Sequence, residues 1–298
     1  MKVTLLGTSC GVPTPDRGLP AVAVRREREV MLFDCGEGTQ RQMIRFGLSF
    51  SKVNRIFVTH YHGDHYLGLF GLVQSMSFFG RERPLDLYGP RGMGRISKTI
   101  ANIGNFVPGF AVVGHDLGPG ERVECDHYFV RAEAVEHIVP TVGYSLEEDR
   151  RPGKFDLAKA RRLGIPEGRL YKELQGGNAI KWQGRTIQPR EVLGPSRPGR
   201  KIVYLGDVLP SDRAVALSQD ADLLVCEATF CEDLAGRARE TGHSTVKQSC
   251  EIARRANARR LLLTHFSPRY DRQAIERELE FPGAIVGEDG LTVEVPYR

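Results

Sequence analysis

Thr59-His60-Tyr61-His62-Gly63-Asp64-His65 sets three imidazoles and a carboxylate into the six positions from His60 to His65, directly after the apolar Ile56-Phe57-Val58. Neutral imidazole nitrogen and carboxylate oxygen are donors that suit zinc and similar divalent ions. Packing accounts for one such residue, not for four at this spacing. Four donors also exceed what a single open catalytic ion takes from one loop. The run therefore predicts two metal ions that draw their remaining ligands from distant loops.

Working outward, other short apolar runs end the same way. Ile202-Val203-Tyr204-Leu205-Gly206 leads to Asp207, and Leu261-Leu262-Leu263-Thr264 leads to His265. Val30-Met31-Leu32-Phe33 ends at Asp34, and Leu223-Leu224-Val225-Cys226 at Glu227. Continuous apolar runs of this length fit strands buried on both faces. In sheets covered by helices, sites collect where strands end and loops converge. One edge of a sheet core is thus expected to gather one site. Tyr66–Phe79 predicts a helix whose apolar residues (Leu67, Phe70, Leu72, Val73, Met76, Phe79) fit no single narrow stripe, so burial on more than one side is expected. Thr245–Asn257 predicts a second helix, with Ser244 as its N-cap.

Composition fits a soluble enzyme of one α/β domain: 298 residues, 41% hydrophobic, with no apolar run near the roughly 20 residues a membrane span needs. The opening Met1-Lys2-Val3-Thr4-Leu5-Leu6-Gly7 predicts a first strand rather than a signal peptide. The six cysteines are scattered and form no C-x-x-C pair, which predicts free thiols and a reducing, cytoplasmic setting. Cys226 and Cys231 are expected to be buried small hydrophobes. His115 and His127 lie outside any motif and are expected to be structural or solvated.

The net charge of +5 is unevenly spread. Arg150, Arg151, Lys154, Lys159, Arg161, Arg162, Arg169 and Lys172 are opposed between them only by Asp156 and Glu167. Glycine and proline punctuate this segment, and Leu157 to Leu163 predicts a short helix capped by Asp156. Such a segment is expected to protrude from the core as a basic arm and to contact a polyanion.

Together these residues resemble the metallo-β-lactamase superfamily in its two-metal phosphodiesterase branch, and within it the short-form tRNase Z family of tRNA 3′-processing endonucleases. Beyond the metal loop, the likeness is carried by Leu6-Gly7-Thr8-Ser9, Phe33-Asp34-Cys35-Gly36-Glu37-Gly38-Thr39-Gln40, Tyr88-Gly89-Pro90, and His137 with Pro140 and Gly143-Tyr144. Glu227-Ala228-Thr229-Phe230, Gly242-His243-Ser244-Thr245 and His265-Phe266-Ser267-Pro268-Arg269-Tyr270 complete it. The metal loop alone is common to hydrolases of many substrates; joined to Gly-His-Ser-Thr and the basic arm it is far more specific.

The resemblance implies a four-layered αβ/βα sandwich over residues 1–298, with a tRNA-binding arm inserted at about 148–180. It implies two zinc ions per subunit, although manganese accepts the same donors. His60, His62 and His137 would hold one ion; Asp64, His65 and His265 the other; Asp207 would bridge. Asp64 would orient or deprotonate the water, His243 paired with Glu227 would protonate the leaving oxygen or stabilise the charged phosphate, and Asp34 would orient a ligand. Lys154, Phe155, Arg161, Arg162, Gly164 and Gly168 would grip the tRNA, with Ser267 and Arg269 near the cleaved phosphate. The implied substrate is precursor tRNA and the implied assembly a homodimer, one subunit's arm serving the other's site. Val208 after Asp207, Cys226 before Glu227, Gly18 after Arg17 and Arg169 after Gly168 depart from the family pattern, and none is a ligand position. The competing enzyme reading is another two-metal phosphodiesterase of this fold, acting on small phosphodiesters or other RNAs.

Overall fold

The computed structural model describes residues 1–298. Two seven-stranded mixed sheets lie face to face. The first runs, edge to edge, Thr292–Glu294, Lys2–Gly7, Ala21–Arg26, Glu29–Phe33, Val53–Phe57, Leu85–Gly89 and Val112–Asp116. The second runs Ala284–Val286, Leu261–Thr264, Leu223–Glu227, Lys201–Tyr204, Thr141–Glu148, Tyr128–Val135 and Arg122–Cys125. Strand alternation explains the unbroken apolar runs. Met31 and Phe33 point into the layer between the sheets with Phe57, Tyr144 and Tyr204, while Leu32 points out toward Met43, Leu72 and Met76. In the second sheet Leu262 faces inward, and Leu261 and Leu263 pack outward against Val246, Cys250 and Ala253. Helices on each outer face complete an αβ/βα sandwich, as expected.

The metal loop is followed by Gly63–Tyr66 and Gly68–Phe78, two helices meeting at Leu67 rather than one continuous helix. Gly68 sits against Gly36, where a Cβ would overlap the Gly36 carbonyl, so the helix start docks directly on the loop after Phe33. Leu72, Val73 and Met76 are buried, but Leu67 and Phe79 are exposed and Phe78 is 88% exposed, so this helix is not enclosed on all sides. The later helix is Val246–Arg255, and its N-cap is Thr245, not Ser244: Thr245 forms a capping box with Gln248 while the Ser244 hydroxyl donates to the Val208 carbonyl. Asp156 caps Leu157–Arg162 as anticipated, accepting from the Lys159 amide at 2.9 Å.

Between Thr141–Glu148 and Lys201–Tyr204, which pair with each other, the chain leaves the sheet and returns. Outgoing and returning segments pair at Arg151 with Arg197 and at Phe155 with Leu193, so the folded insertion extends beyond the expected 180. It holds the helices Leu157–Arg162 and Arg169–Gln175, the hairpin of Ile180–Trp182 with Arg185–Ile187, and a small core of Ala160, Ile165, Tyr171, Leu174, Ile180, Ile187 and Val192. All six cysteines are free, Cys226 and Cys231 among the buried ones. No helix is long and apolar enough to cross a membrane.

Candidate metal centre

The five strand ends anticipated as one site converge at one edge of the sandwich. Two donor groups with no residue in common form there, His60, His62, His137 and Asp207, and Asp64, His65 and His265; a third, Asp207, His243 and His265, overlaps both. Asp207 lies between them. Its Oδ1 is 3.3 Å from both His65 Nε2 and His265 Nε2, and its Oδ2 is 3.5 Å from His60 Nε2 and 3.9 Å from His137 Nε2.

Hydrogen bonds behind the rings decide which nitrogen faces the centre. His65 Nδ1 donates to Asp34 Oδ2 at 2.7 Å, and His137 Nδ1 to the Gly242 carbonyl at 2.7 Å. His60 Nδ1 lies 3.0 Å from the Thr59 hydroxyl, which itself donates to Asp34, and His265 Nδ1 lies 2.8 Å from the Thr229 hydroxyl, which donates to Glu227. Each hydroxyl has given its proton to a carboxylate, so it accepts from the ring. All four Nδ1 atoms therefore carry hydrogen, and four Nε2 lone pairs point into the cluster. His62 contributes Nδ1, 3.0 Å from His60 Nε2 and 3.3 Å from His137 Nε2. Nitrogens this close repel unless a proton or a cation lies between them. The edge of a tetrahedron with zinc–nitrogen bonds of about 2.05 Å is roughly 3.3 Å, so the spacing fits such an ion. Buried Asp207 Oδ1 finds no hydrogen-bond partner, which a metal bond would supply.

The charges agree. Burial, then the neighbouring His65, pushes the His60 imidazole down to about 2, and burial lowers His137 as well. Burial is the largest single influence on His65 and His265 and opposes their charge, but Asp207 together with Asp34 at His65, and with Cys10 and Asp64 at His265, outweighs it and raises both. Burial would raise Asp207; His265 and His65 hold it well below the ordinary carboxylate range. Asp34 and His265 follow their strands at φ of 57° and 60°, a left-handed conformation uncommon outside glycine that turns both side chains into the cluster.

His243 stands beside the cluster, its Nδ1 donating to Glu227 Oε1 at 3.0 Å and 3.8 Å from Asp207 Oδ2. Burial lowers the imidazole, yet Glu227 brings it up to about 9. Glu227 is fixed by the Val208 amide at 2.8 Å and by Thr229. Valine at 208 thus leaves the backbone contact to Glu227 in place, and Cys226 turns away to Ser249.

Ser267 is buried two residues beyond His265, and exposed Arg269 reaches its hydroxyl at 3.4 Å. The insertion's expected contacts lie elsewhere, in their own unit. Lys154, Arg161, Arg162, Gly164 and Gly168 are exposed, Arg161 paired with Glu167 at 2.8 Å. Phe155 instead packs against Tyr171, ring centres 4.8 Å apart and tilted by 49°, at the edge of the small core. His115 pairs with Asp86 at 2.8 Å, and His127 is exposed. Thr59, Thr229 and Tyr204, which orient the cluster, were absent from the sequence expectation. Thr59 and Thr229 were within reach, being the only hydroxyls inside the quoted Thr59–His65 and Glu227–Phe230 runs apart from Tyr61.

Two facing sheets, helices on both outer sides and a histidine–aspartate cluster at the shared strand ends define the metallo-β-lactamase fold. Residues 172–266 match the model described as beta-lactamase superfamily domain, and residues 1–96 the one described as anti-Pycsar protein Apyc1. Ribonuclease Z of Methanosarcina acetivorans is 43% identical, covering 100% of this chain and 99% of its own, and that of Natronomonas pharaonis is 46% identical, covering 100% and 98%. The crystal structure of human tRNase Z, short form, superposes with a TM-score of 0.74 at 29% identity, covering 99% of this chain and 100% of that one. The chain belongs to the ribonuclease Z family.

Proposed function

We propose that this chain is a zinc-dependent endoribonuclease that removes the 3′ trailer from precursor tRNA and leaves a 3′-hydroxyl on the tRNA body. The observation that carries the reading is the convergence of two donor groups on Asp207, in a chain matched over its whole length by ribonucleases Z. In this reading His60, His62 and His137 would hold one ion, Asp64, His65 and His265 the other, and Asp207 would serve both. Two ions so held supply an activated water and neutralise charge on the scissile phosphate.

Asp64 orients that water and accepts its proton, and the Gly11 amide donates to Asp64 Oδ2 at 2.9 Å and fixes the carboxylate. As the water oxygen bonds to phosphorus, the bond from phosphorus to the 3′ oxygen of the tRNA body breaks, and the trailer keeps the 5′-phosphate. His243 has Nδ1 engaged by Glu227, so Nε2 is the nitrogen that gives its proton to the departing oxygen. Ser267 and Arg269 contact phosphates beside the cut.

The insertion grips the tRNA body through Lys154, Arg161 and Arg162, since double-helical RNA is recognised by backbone and shape. A homodimer in the cytoplasm belongs to the same reading. Its support is an apolar patch in which Phe78 and Phe79 stand exposed at the end of Gly68–Phe78, beside Phe50 and the Val107–Gly109 loop, whose Gly109 amide binds Ser77. The test is cleavage of a 3′-extended precursor tRNA by purified protein, with and without chelator, mapping both product ends. Chelator-sensitive cutting that leaves a 3′-hydroxyl supports the reading. Hydrolysis of a small phosphodiester without cutting of the precursor assigns the site to another phosphodiesterase of this fold.

A further inference from the structure

The insertion is rooted through an arrangement that the proposed reaction does not use. Glu148, the last residue of Thr141–Glu148, is 4% exposed in its side chain. It accepts from Arg200 Nε at 2.8 Å and Nη2 at 2.7 Å, and from Arg26 Nε at 3.0 Å. Beyond this anchor the two segments of the root cross-brace: the Arg151 and Arg197 backbones exchange hydrogen bonds of 2.8 and 2.9 Å, and Arg150 binds the Ser196 hydroxyl at 3.0 Å. Gly153 lies where a Cβ would overlap the Gly194 carbonyl. The root is thus a tight two-stranded neck, stiff along its length. Two strands alone leave the direction in which a neck leans undetermined.

Tyr297 supplies the missing direction. Its ring lies between two guanidiniums, Arg151 at 3.7 Å and Arg200 at 3.8 Å from the ring centre, one from the outgoing and one from the returning segment. Its hydroxyl accepts from Arg200 Nη2 at 3.0 Å. Arg151 pairs with no acidic side chain and its Nε is buried without an acceptor, so the ring and the Arg298 backbone oxygen, 3.2 Å from Nη2, are what hold it. Arg298 is tied to the second sheet by Asp222, 3% exposed, at 2.7 Å and by the Asp220 carbonyl at 2.7 Å. Force on the neck therefore passes through Arg151, Tyr297 and Arg298 to the body that carries Asp207.

We propose that Tyr297 is a positioning residue for substrate: clamped between Arg151 and Arg200, it sets the direction of the inserted arm relative to its own body and so decides how well that arm and the metal centre of the paired subunit engage one RNA together. This rests on the reading that the arm grips the tRNA body. Joining two contacts on one ligand raises affinity only when geometry lets both be made at once. Tyr297→Ala removes both cation–π contacts and frees the neck to lean; Tyr297→Phe keeps the ring between the guanidiniums and loses only the hydroxyl.

The experiment is steady-state kinetics on precursor tRNA and on bis(p-nitrophenyl) phosphate, using full-length wild type, Tyr297→Ala, Tyr297→Phe and the arm variant Arg161→Glu/Arg162→Glu. For Tyr297→Ala we expect KM for precursor tRNA to rise about tenfold, kcat to stay near wild type, and phosphodiester hydrolysis to be unchanged. Tyr297→Phe restores most of the KM. An arm variant that raises KM while Tyr297→Ala does not overturns the clamp and spares the arm. An arm variant without effect on KM overturns the arm reading and the clamp with it. Equal loss on both substrates in Tyr297→Ala makes Tyr297 a stabiliser of the body and overturns the proposal.

Discussion

Asp34 shows how one side chain governs both halves of the cluster. Its Oδ2 accepts from His65 Nδ1 and from the Tyr204 hydroxyl, each at 2.7 Å, and its Oδ1 from the Thr59 amide at 2.7 Å. Thr59 in turn accepts from His60. A single carboxylate thus orients a ring in each donor group and keeps both Nε2 atoms free of hydrogen. Asp34→Asn preserves the shape but presents an amide to donors that need an acceptor. We expect metal affinity about 10–100-fold weaker, measured by zinc competition against a chromophoric chelator; unchanged affinity would remove Asp34 from the ligand-orienting role. Asp34 was legible in the sequence because a strand-like run stops on it. The orienting hydroxyls carry no such mark. Thr59 meets a carboxylate 25 residues away and Thr229 an imidazole 36 residues away, and pairings of that kind exist only once the sheets are assembled.

At the scale of elements, the metal loop and its strands were readable because burial on both faces forces continuous apolar runs, which then stop where the loops begin. The insertion was readable only in part. Its basic half has a charge pattern, but the hairpin at 180–187 and the return to Arg197 are short and mixed in composition, and only pairing across the neck shows where the unit closes. Cutting it at Lys172 would strip Ile180, Ile187 and Val192 of the residues they pack on. The clean excision follows the sheet. Lys201 pairs with Glu147, and the Glu148 amide donates to the Arg200 carbonyl at 3.0 Å, so residues 149–199 can give way to an Asn-Gly turn that closes an ordinary hairpin. This variant is expected to hydrolyse bis(p-nitrophenyl) phosphate near the wild-type rate while precursor tRNA cleavage falls; parallel loss of both would make the insertion part of the body. The same root predicts a pH effect. Burial would raise Glu148, but Arg200, followed by Arg26, brings it from 4.5 down to about 2. A carboxylate depressed by folding contributes stability above its unfolded value, and that contribution is lost as pH falls from about 4.5 toward about 2. Denaturant midpoints of wild type should therefore fall more steeply over that window than those of Glu148→Gln, and identical pH slopes would leave the buried pairing without a stabilising role.

For the whole molecule, the cluster is also a joint between the two sheets. His60, His62, Asp64 and His65 follow Val53–Phe57 in the first sheet, while His137, Asp207 and His265 follow strands of the second. Protein contacts already tie the halves here: the Tyr144 hydroxyl donates to the Val58 carbonyl at 2.7 Å, and the Val142 amide to the Thr59 carbonyl at 3.0 Å. Between them, however, stand lone pairs aimed at one another and a buried Asp207 oxygen without a partner. Without a cation, protons take its place: His65 and His265 are raised by Asp207 and the other groups around them against the pull of burial, and His62 Nδ1 can donate to the Nε2 of His60 or His137. Ions that bind the folded chain and not the unfolded one stabilise it by about 4 kcal/mol at a thousand times their dissociation constant. At roughly 2–4 °C per kcal/mol for a chain near this size, that is about 10 °C in Tm. Chelator-stripped protein should accordingly melt about 10 °C below the same protein resupplied with zinc, and the difference should vanish in Asp207→Ala, which loses the donor shared by both groups. Equal melting of stripped and zinc-loaded wild type would mean that the sandwich closes without the ions, and that the cluster serves chemistry alone.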